Sequence, residues 1–121
     1  MSVREIAESY WRAEERRDIE DVLAHYHEDA VFCPPGERLE GHDQIRTFYE
    51  GSAADYPGLE VTITHEISAA DGEASLEWEA VLVDHDGGRH PLKGVNNIKL
   101  EDGRFREVRA YFDPATLGET L

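Results

Sequence analysis

Three polar side chains lie where the surrounding sequence predicts an apolar interior. Asn96 shares a strand face with Ile98 and Leu100, since successive side chains of a strand point to opposite sides. His65 lies on a similar face, and Tyr10 belongs to the inward stripe of a predicted helix. A histidine can act as a general base near neutral pH, and a buried amide or phenol needs a hydrogen-bond partner. His65 is therefore a candidate catalytic residue, with a core histidine held by one backbone hydrogen bond as the alternative.

Length and composition are typical of one globular domain over residues 1–121, with 40% hydrophobic and 32% charged residues. The net charge of −15 argues against binding to nucleic acid or to anionic membranes. No apolar run is long enough to span a bilayer, and no signal segment is recognised. The single Cys33 cannot form an internal disulfide, so we expect a reducing, cytoplasmic location. Scattered histidines predict no metal site, and no cofactor is expected.

Three helices are predicted in the first half of the chain. Ser2 and Glu5 form a capping box, Asp18 can cap a second helix, and Gly41 opens the third. The charged run at residues 14–17 is typical of a solvated helix end. The inward stripes consist of Val3, Ile6, Ala7, Tyr10 and Ala13, then Ile19, Val22, Leu23 and Tyr26, then Ile45, Phe48 and Tyr49.

The second half of the chain predicts strands. After an early short strand over residues 30–34, the hydrophobic period changes from 3.6 to 2 at Leu59. The pair Asp102-Gly103 between alternating runs predicts a hairpin. Helices followed by an antiparallel meander predict an α+β, two-layer domain. The predicted inner face consists of Val61, Ile63, His65 and Ile67, then Leu76, Trp78, Ala80 and Leu82, then His90, Leu92, Gly94 and Asn96, then Val108, Ala110 and Phe112.

Aromatic side chains from helices and strands converge on one interior. A plain aromatic core is the common explanation, but the number of inward polar groups favours a ligand pocket. The predicted pocket residues are Tyr26, Phe32, Pro34, Phe48, Tyr49, Trp78 and Phe112.

In this order the elements resemble the nuclear transport factor 2-like superfamily, in particular its SnoaL-like and ketosteroid-isomerase-like branch. The resemblance rests on the Tyr10 helix, on residues 18–32, on the helix over residues 41–49 and on the closing strands of residues 103–114. It implies a cone-shaped two-layer domain, with three N-terminal helices packed on a strongly bent antiparallel sheet. Members of the superfamily include isomerases, dehydratases, polyketide cyclases, epoxide hydrolases and non-catalytic binding modules, so the fold does not settle the function.

The resemblance also implies roles for individual residues. Tyr10 and Asn96 match the two donors of the isomerase oxyanion hole, and Tyr49 matches a tyrosine that supports the first by hydrogen bonding. Asn96 replaces a carboxylic acid, and an amide can donate without a raised pKa. Pro34 stands at the position of the general base, and proline cannot abstract a proton. His65 is then the remaining candidate for proton transfer. If the protein is an enzyme, we expect it to be of the isomerase or lyase type, without metal or cofactor, with Tyr10, Asn96 and His65 as its catalytic residues.

The sequence leaves three functions open. The first is an isomerase-, cyclase- or dehydratase-like enzyme that acts on a small, apolar, carbonyl-bearing molecule. The second is a binding domain that uses the same pocket without proton transfer, which the predicted lack of an inward carboxylate favours. The third is a protein-interaction module whose pocket is filled by side chains. Asp113 resembles a family aspartate, but its outward parity favours a helix cap.

The outer face of the sheet carries apolar residues among charged ones: Val81, Val83, Val95 and Tyr111. An antiparallel sheet that is apolar on both faces usually covers the second face. Because members of the resembled family commonly dimerise through this face, we expect a homodimer.

Overall fold

The computed structural model describes residues 2–118. The helices are α1 (Val3–Glu15), α2 (Ile19–Ala24) and α3 (Gly41–Asp55). The strands are β1 (Tyr26–Cys33), β2 (Leu39–Glu40), β3 (Gly58–Ser68), β4 (Glu73–Val83), β5 (Arg89–Glu101) and β6 (Arg104–Phe112), followed by a 3₁₀ turn, Pro114–Gly118. Among residues 2–118, no helix is long and apolar enough to cross a membrane.

The predicted α+β, two-layer fold is confirmed. Three helices pack on a six-stranded sheet with the order β2-β1-β6-β5-β4-β3. Neighbouring strands are antiparallel except for β1 and β6, which are parallel, so the sheet is mixed. The early strand therefore lies between β2 and the closing strand β6 and extends the sheet beyond the antiparallel meander.

The predicted helix starts are confirmed by their caps. Ser2 Oγ accepts a hydrogen bond from the Glu5 N–H at 3.1 Å, and the Glu5 carboxylate accepts one from the Ser2 N–H at 3.0 Å. Asp18 caps α2 by accepting from the Asp21 N–H at 3.1 Å. Asp113 accepts from the Ala115 N–H at 3.0 Å at the start of the closing turn, so its structural role as a cap is confirmed. These local bonds satisfy backbone donors that have no partner inside the helix.

One strand boundary and two register shifts differ from the sequence prediction. Strand β1 begins at Tyr26, four residues before the predicted start, because α2 ends at Ala24. Register shifts interrupt the regular alternation of faces at Thr64 of β3, between Ile63 and His65, and at Arg106 of β6, opposite Lys99 and Leu100. Such bulges increase the local twist and bend a strand.

Candidate functional site

A cavity of about 330 Å³ lies between helices α1 and α3 and the inner face of the sheet. Its wall is mostly aromatic and aliphatic, and it holds one amide and three carboxyl groups. The lining residues are Tyr10, Trp11, Glu14, Phe32, Pro34, Pro35, Glu37, Phe48, Tyr49, Ser52, Asp55, Tyr56, Leu59, Val61, Trp78, Ala80, Leu82, Leu92, Asn96, Ala110, Phe112, Pro114 and Leu117. Of the residues named from the sequence, Tyr10, Phe32, Pro34, Phe48, Tyr49, Trp78, Asn96 and Phe112 line this cavity.

Asn96 presents its amide nitrogen to the cavity. The residue is 5% exposed, and its Oδ1 accepts a hydrogen bond from Trp78 Nε1 at 3.0 Å. This bond fixes which end of the amide faces the indole. The Asn96 Nδ2 has no hydrogen-bond partner among residues 2–118. Every fully buried side-chain nitrogen or oxygen in that range has a partner, so this nitrogen is not fully buried. The nitrogen is therefore accessible from the cavity, with two N–H groups available to a ligand.

The indole of Trp78 reaches Asn96 because position 94 has no side chain. Trp78 lies directly opposite Gly94 in the pairing of β4 with β5 and extends diagonally toward Asn96. A Cβ at Gly94 would lie 2.7 Å from the carbonyl oxygen of Tyr111 and closer still to the indole ring. Glycine at this position therefore allows the close approach that orients the amide.

Three tyrosine hydroxyls form a buried chain beside the cavity. The Tyr49 hydroxyl lies 2.5 Å from that of Tyr10 and 2.7 Å from that of Tyr26. Burial raises the pKa of all three phenols, most of all those of Tyr10 and Tyr49, so each stays neutral and keeps its proton. Tyr26 does not line the cavity, contrary to the sequence prediction, because it starts β1, packs against the rings of Tyr10 and Tyr49, and is fully buried among them.

Glu14 lines the cavity, so the expectation of no inward carboxylate and of a solvated helix end at residues 14–17 is wrong. Glu14 follows Tyr10 by four residues and therefore shares its face of α1. Loss of hydration around the carboxyl group raises its pKa from 4.5 to about 7, although the residue as a whole is half-buried. Hydrogen bonding from the Tyr10 hydroxyl and the charge of Arg17 both act to lower this pKa, and desolvation outweighs them.

The protons of this chain have one arrangement that satisfies every group when Glu14 is ionised. Tyr26 then donates to Tyr49, Tyr49 donates to Tyr10, and Tyr10 donates to the Glu14 carboxylate. A phenol has only one proton to donate, so Tyr10 holds Glu14 rather than a ligand in this state. The Asn96 amide is then a free donor of the cavity wall.

His65 does not reach the cavity, and its prediction as an inward-facing group is wrong. The register shift leaves Thr64 without a direct partner in β4, and His65 pairs with Glu77 on the outer face. Its side chain is 58% exposed, and its Nε2 lies 3.9 Å from the Glu77 carboxylate. One extra residue in a strand moves every later side chain to the opposite face.

The remaining charges of the cavity wall are all acidic. Glu37 and Asp55 are exposed residues of the lining, and the lining contains no lysine, arginine or histidine. Among residues 2–118, no three His, Cys, Asp or Glu side chains are grouped closely enough to hold a metal ion. The site therefore offers hydrogen-bond donors, one desolvated carboxyl group and an apolar wall.

Comparisons with known proteins place this arrangement in a family. Residues 7–108 match the SnoaL-like domain. No curated protein matches the chain.

Three similar solved structures share the fold. An NTF2-like protein of unknown function from Burkholderia pseudomallei is 21% identical (TM-score 0.81), covering 95% of this chain and 94% of its own. A Catenulispora acidiphila protein with a ketosteroid isomerase-like fold, in complex with trimethylamine, is 15% identical (TM-score 0.82), covering 93% of this chain and 88% of its own. A Mycobacterium tuberculosis LEH-like epoxide hydrolase is 21% identical (TM-score 0.79; 96% and 86%). Because the domain match spans most of the chain, the chain belongs to the SnoaL-like domain family, and these structures share its fold.

Proposed function

We propose that this protein binds a small, mainly apolar molecule and holds its carbonyl oxygen on the Asn96 amide. The observation that carries this proposal is an accessible N–H donor on a buried residue, fixed in orientation by Trp78. A preorganised donor on a mainly apolar wall stabilises negative charge that develops on a bound oxygen. The bound carbonyl is therefore polarised as well as held.

The cavity limits the ligand in size and charge. A volume of about 330 Å³ lies at the lower end of the range that small-molecule sites occupy. The wall carries the carboxyl groups of Glu14, Glu37 and Asp55 and no basic side chain. We therefore expect a neutral ligand of one or two rings, and we expect phosphates and carboxylates to be excluded by charge repulsion.

An enzyme that acts on such a ligand is the function that this site supports best. A polarised carbonyl is the common feature of isomerase, cyclase and dehydratase chemistry, which the family resemblance also implies. A binding domain without turnover remains the second candidate, because Pro34 stands where that resemblance places a general base. A module whose pocket is filled by side chains loses its support, since an open cavity lies beside Tyr10.

Binding of 2-naphthol tests the role of Asn96. The anion of this phenol resembles an enolate, which is the charge distribution that the amide is expected to stabilise. We expect Asn96→Leu to raise the dissociation constant about tenfold, which is what the loss of one hydrogen bond of about 1.4 kcal/mol would cause. Titration calorimetry at pH 7 measures the change.

The neighbouring asparagine provides the control for this substitution. Asn97 lies on the outer face of the sheet, where its Oδ1 accepts a hydrogen bond from Ser75. Asn97→Leu is expected to leave 2-naphthol binding within about twofold of wild type. Equal affinities of wild type and Asn96→Leu, with both folded by circular dichroism, would contradict the proposed binding mode.

We also propose a homodimer through the outer face of the sheet. Val95 and Tyr111 lie opposite each other on that face, and Tyr111 is 56% exposed. Val81 and Val83 extend the same face along β4 and are half-buried. Large apolar side chains at the centre of a sheet gain most when a second surface removes them from water.

Light scattering coupled to size exclusion tests the dimer. We expect wild type at micromolar concentration to have twice the mass of the chain, and Tyr111→Glu to have the mass of one chain, since a buried carboxylate at the interface is strongly unfavourable. Thr47→Glu introduces the same group on the exposed side of α3 and should leave the dimer intact. A wild-type monomer would overturn the proposal.

A further inference from the structure

We infer that Glu14 is the catalytic residue that carries the proton in this cavity, acting on the carbon next to the carbonyl that Asn96 holds. This inference rests on the binding mode proposed above. Three carboxyl groups line the cavity, and Glu37 and Asp55 among them are exposed, whereas Glu14 is half-buried on the same wall as Tyr10. The strands contribute no titratable side chain to the lining.

Glu14 is not used by the fold as a structural ion pair. Within residues 2–118, no lysine, arginine or histidine lies within 4 Å of its carboxylate. Arg17 contributes only charge at longer range, because its guanidinium donates to the Tyr56 carbonyl, with Nε at 3.0 Å. The adjacent Glu15 is used structurally, since it accepts from the Val61 N–H at 2.8 Å and pairs with Arg12 at 3.0 Å.

Hydrogen bonds of the tyrosine chain hold the carboxyl group of Glu14 in position. Tyr10, one helical turn earlier, donates to Glu14, and Tyr49 and Tyr26 hold Tyr10 in turn. The other carboxyl groups of the cavity are Glu37, on the loop after β1, and Asp55, at the end of α3, and its remaining titratable side chains are the phenols of Tyr10, Tyr49 and Tyr56. A carboxyl group with a pKa of about 7 is populated in both protonation states at neutral pH, which is the condition for efficient transfer in either direction.

The proposed step balances without a co-reactant. The Glu14 carboxylate removes a proton from the carbon adjacent to the carbonyl. The electron pair of that C–H bond becomes a C=C bond, and the carbonyl π pair moves to the oxygen, where an Asn96 N–H donates to it. Glu14 then returns the same proton to the carbon at the far end of the conjugated system. The net reaction is a double-bond shift in a β,γ-unsaturated ketone.

Cyclohex-3-en-1-one is the probe for this step, and its conversion to the conjugated ketone is followed by ultraviolet absorbance. We expect wild type to accelerate the conversion over buffer, with a rate that rises with pH through about 7 and then levels off, because the carboxylate is the base. Glu14→Gln should lower the rate by about 100-fold or more, while 2-naphthol binding stays within about threefold.

Matched variants separate this role from a structural one. Glu8→Gln removes the same charge from an exposed site on α1 and should keep the rate within about twofold. Glu14→Asp keeps the carboxyl group one methylene further back and should retain part of the rate with the same form of pH profile. If Glu14 only supported the fold, Glu14→Gln would have a lower rate but would keep the dependence on pH that wild type shows.

The outcomes distinguish the binding mode proposed for Asn96 from the proton transfer proposed for Glu14. If Glu14→Gln matches wild type, or if wild type binds 2-naphthol but does not exceed the buffer rate, Glu14 is not the proton carrier. A wild-type rate that does not vary between pH 5 and pH 9 also overturns the inference. If Asn96→Leu binds 2-naphthol as wild type does while Glu14→Gln loses the rate, the binding mode is wrong and the role of Glu14 stands.

Discussion

Replacing Tyr49 with phenylalanine is expected to lower the free energy of unfolding by about 3 kcal/mol. The Tyr49 hydroxyl is the shared partner of Tyr10 and Tyr26, at 2.5 and 2.7 Å, so the substitution removes two hydrogen bonds of about 1 kcal/mol each. It also leaves the Tyr26 hydroxyl, on a fully buried residue, with only the less well placed Tyr10 hydroxyl as a partner. That poorly satisfied group adds a further cost of about 1 kcal/mol. Urea unfolding at pH 7, followed by circular dichroism, measures the loss.

Tyr26→Phe is the matched control for the position of a hydroxyl in the chain. It removes one hydrogen bond at the end of the chain, and Tyr49 keeps Tyr10 as its partner. We expect a loss of about 1 kcal/mol, or about a third of the effect at Tyr49. Equal losses in the two variants would show that the three hydroxyls do not act as one connected chain.

The parts of the site that lie on regular strands could be predicted from the sequence. Trp78, Asn96 and Phe112 occupy stretches of β4, β5 and β6 that pair with one another without a register shift. Where alternation is uninterrupted, parity along the sequence assigns each side chain to a face. The hairpin between β5 and β6 is likewise local, since Asp102 and Gly103 both adopt positive φ, as its turn requires.

The position of His65 could not be obtained from parity, because the bulge at Thr64 depends on how β3 pairs with β4. No residue near the bulge marks it, as neither glycine nor proline occurs between Leu59 and Ser68. For Tyr26 the sequence predicts burial correctly but assigns the residue to the wrong element. It extends the helical stripe of α2 in sequence, but it starts β1, and it is buried in either arrangement.

The charged neighbours of Glu14 in the sequence make it look like a solvent-exposed residue. Five consecutive charged residues, 14–18, suggest exposure, but the helical period places Glu14 one turn after Tyr10 and therefore on the inner face. Its neighbour Glu15 is turned by about 100° and reaches β3 instead. Two adjacent carboxylates thus have different environments, and only the spacing of four from Tyr10 distinguishes them in the sequence. The cost of bringing one of them inside is measurable as a function of pH.

Glu14 is expected to make the protein less stable as the pH rises from about 4.5 to about 7. The pKa is about 7 in the folded chain and 4.5 without the effect of the fold, so over this range the native state keeps a proton that the unfolded state has released. Unfolding then releases a proton, and the free energy of unfolding falls with rising pH until both states are ionised. The full difference corresponds to roughly 3 kcal/mol, and water in the cavity is expected to reduce it to about 2 kcal/mol.

Comparison with Glu14→Gln isolates this contribution, because glutamine stays neutral at every pH. We expect the free energy of unfolding of Glu14→Gln, minus that of wild type, to increase by about 2 kcal/mol between pH 4.5 and pH 8. Urea unfolding at several pH values measures both proteins, and other groups cancel in the difference. Glu14→Ala should show the same increase, since it also lacks the charge although it cannot bond to Tyr10. A difference that stays constant, or falls as the pH rises, would mean that the Glu14 carboxyl group is hydrated in the folded protein and is not poised for proton transfer.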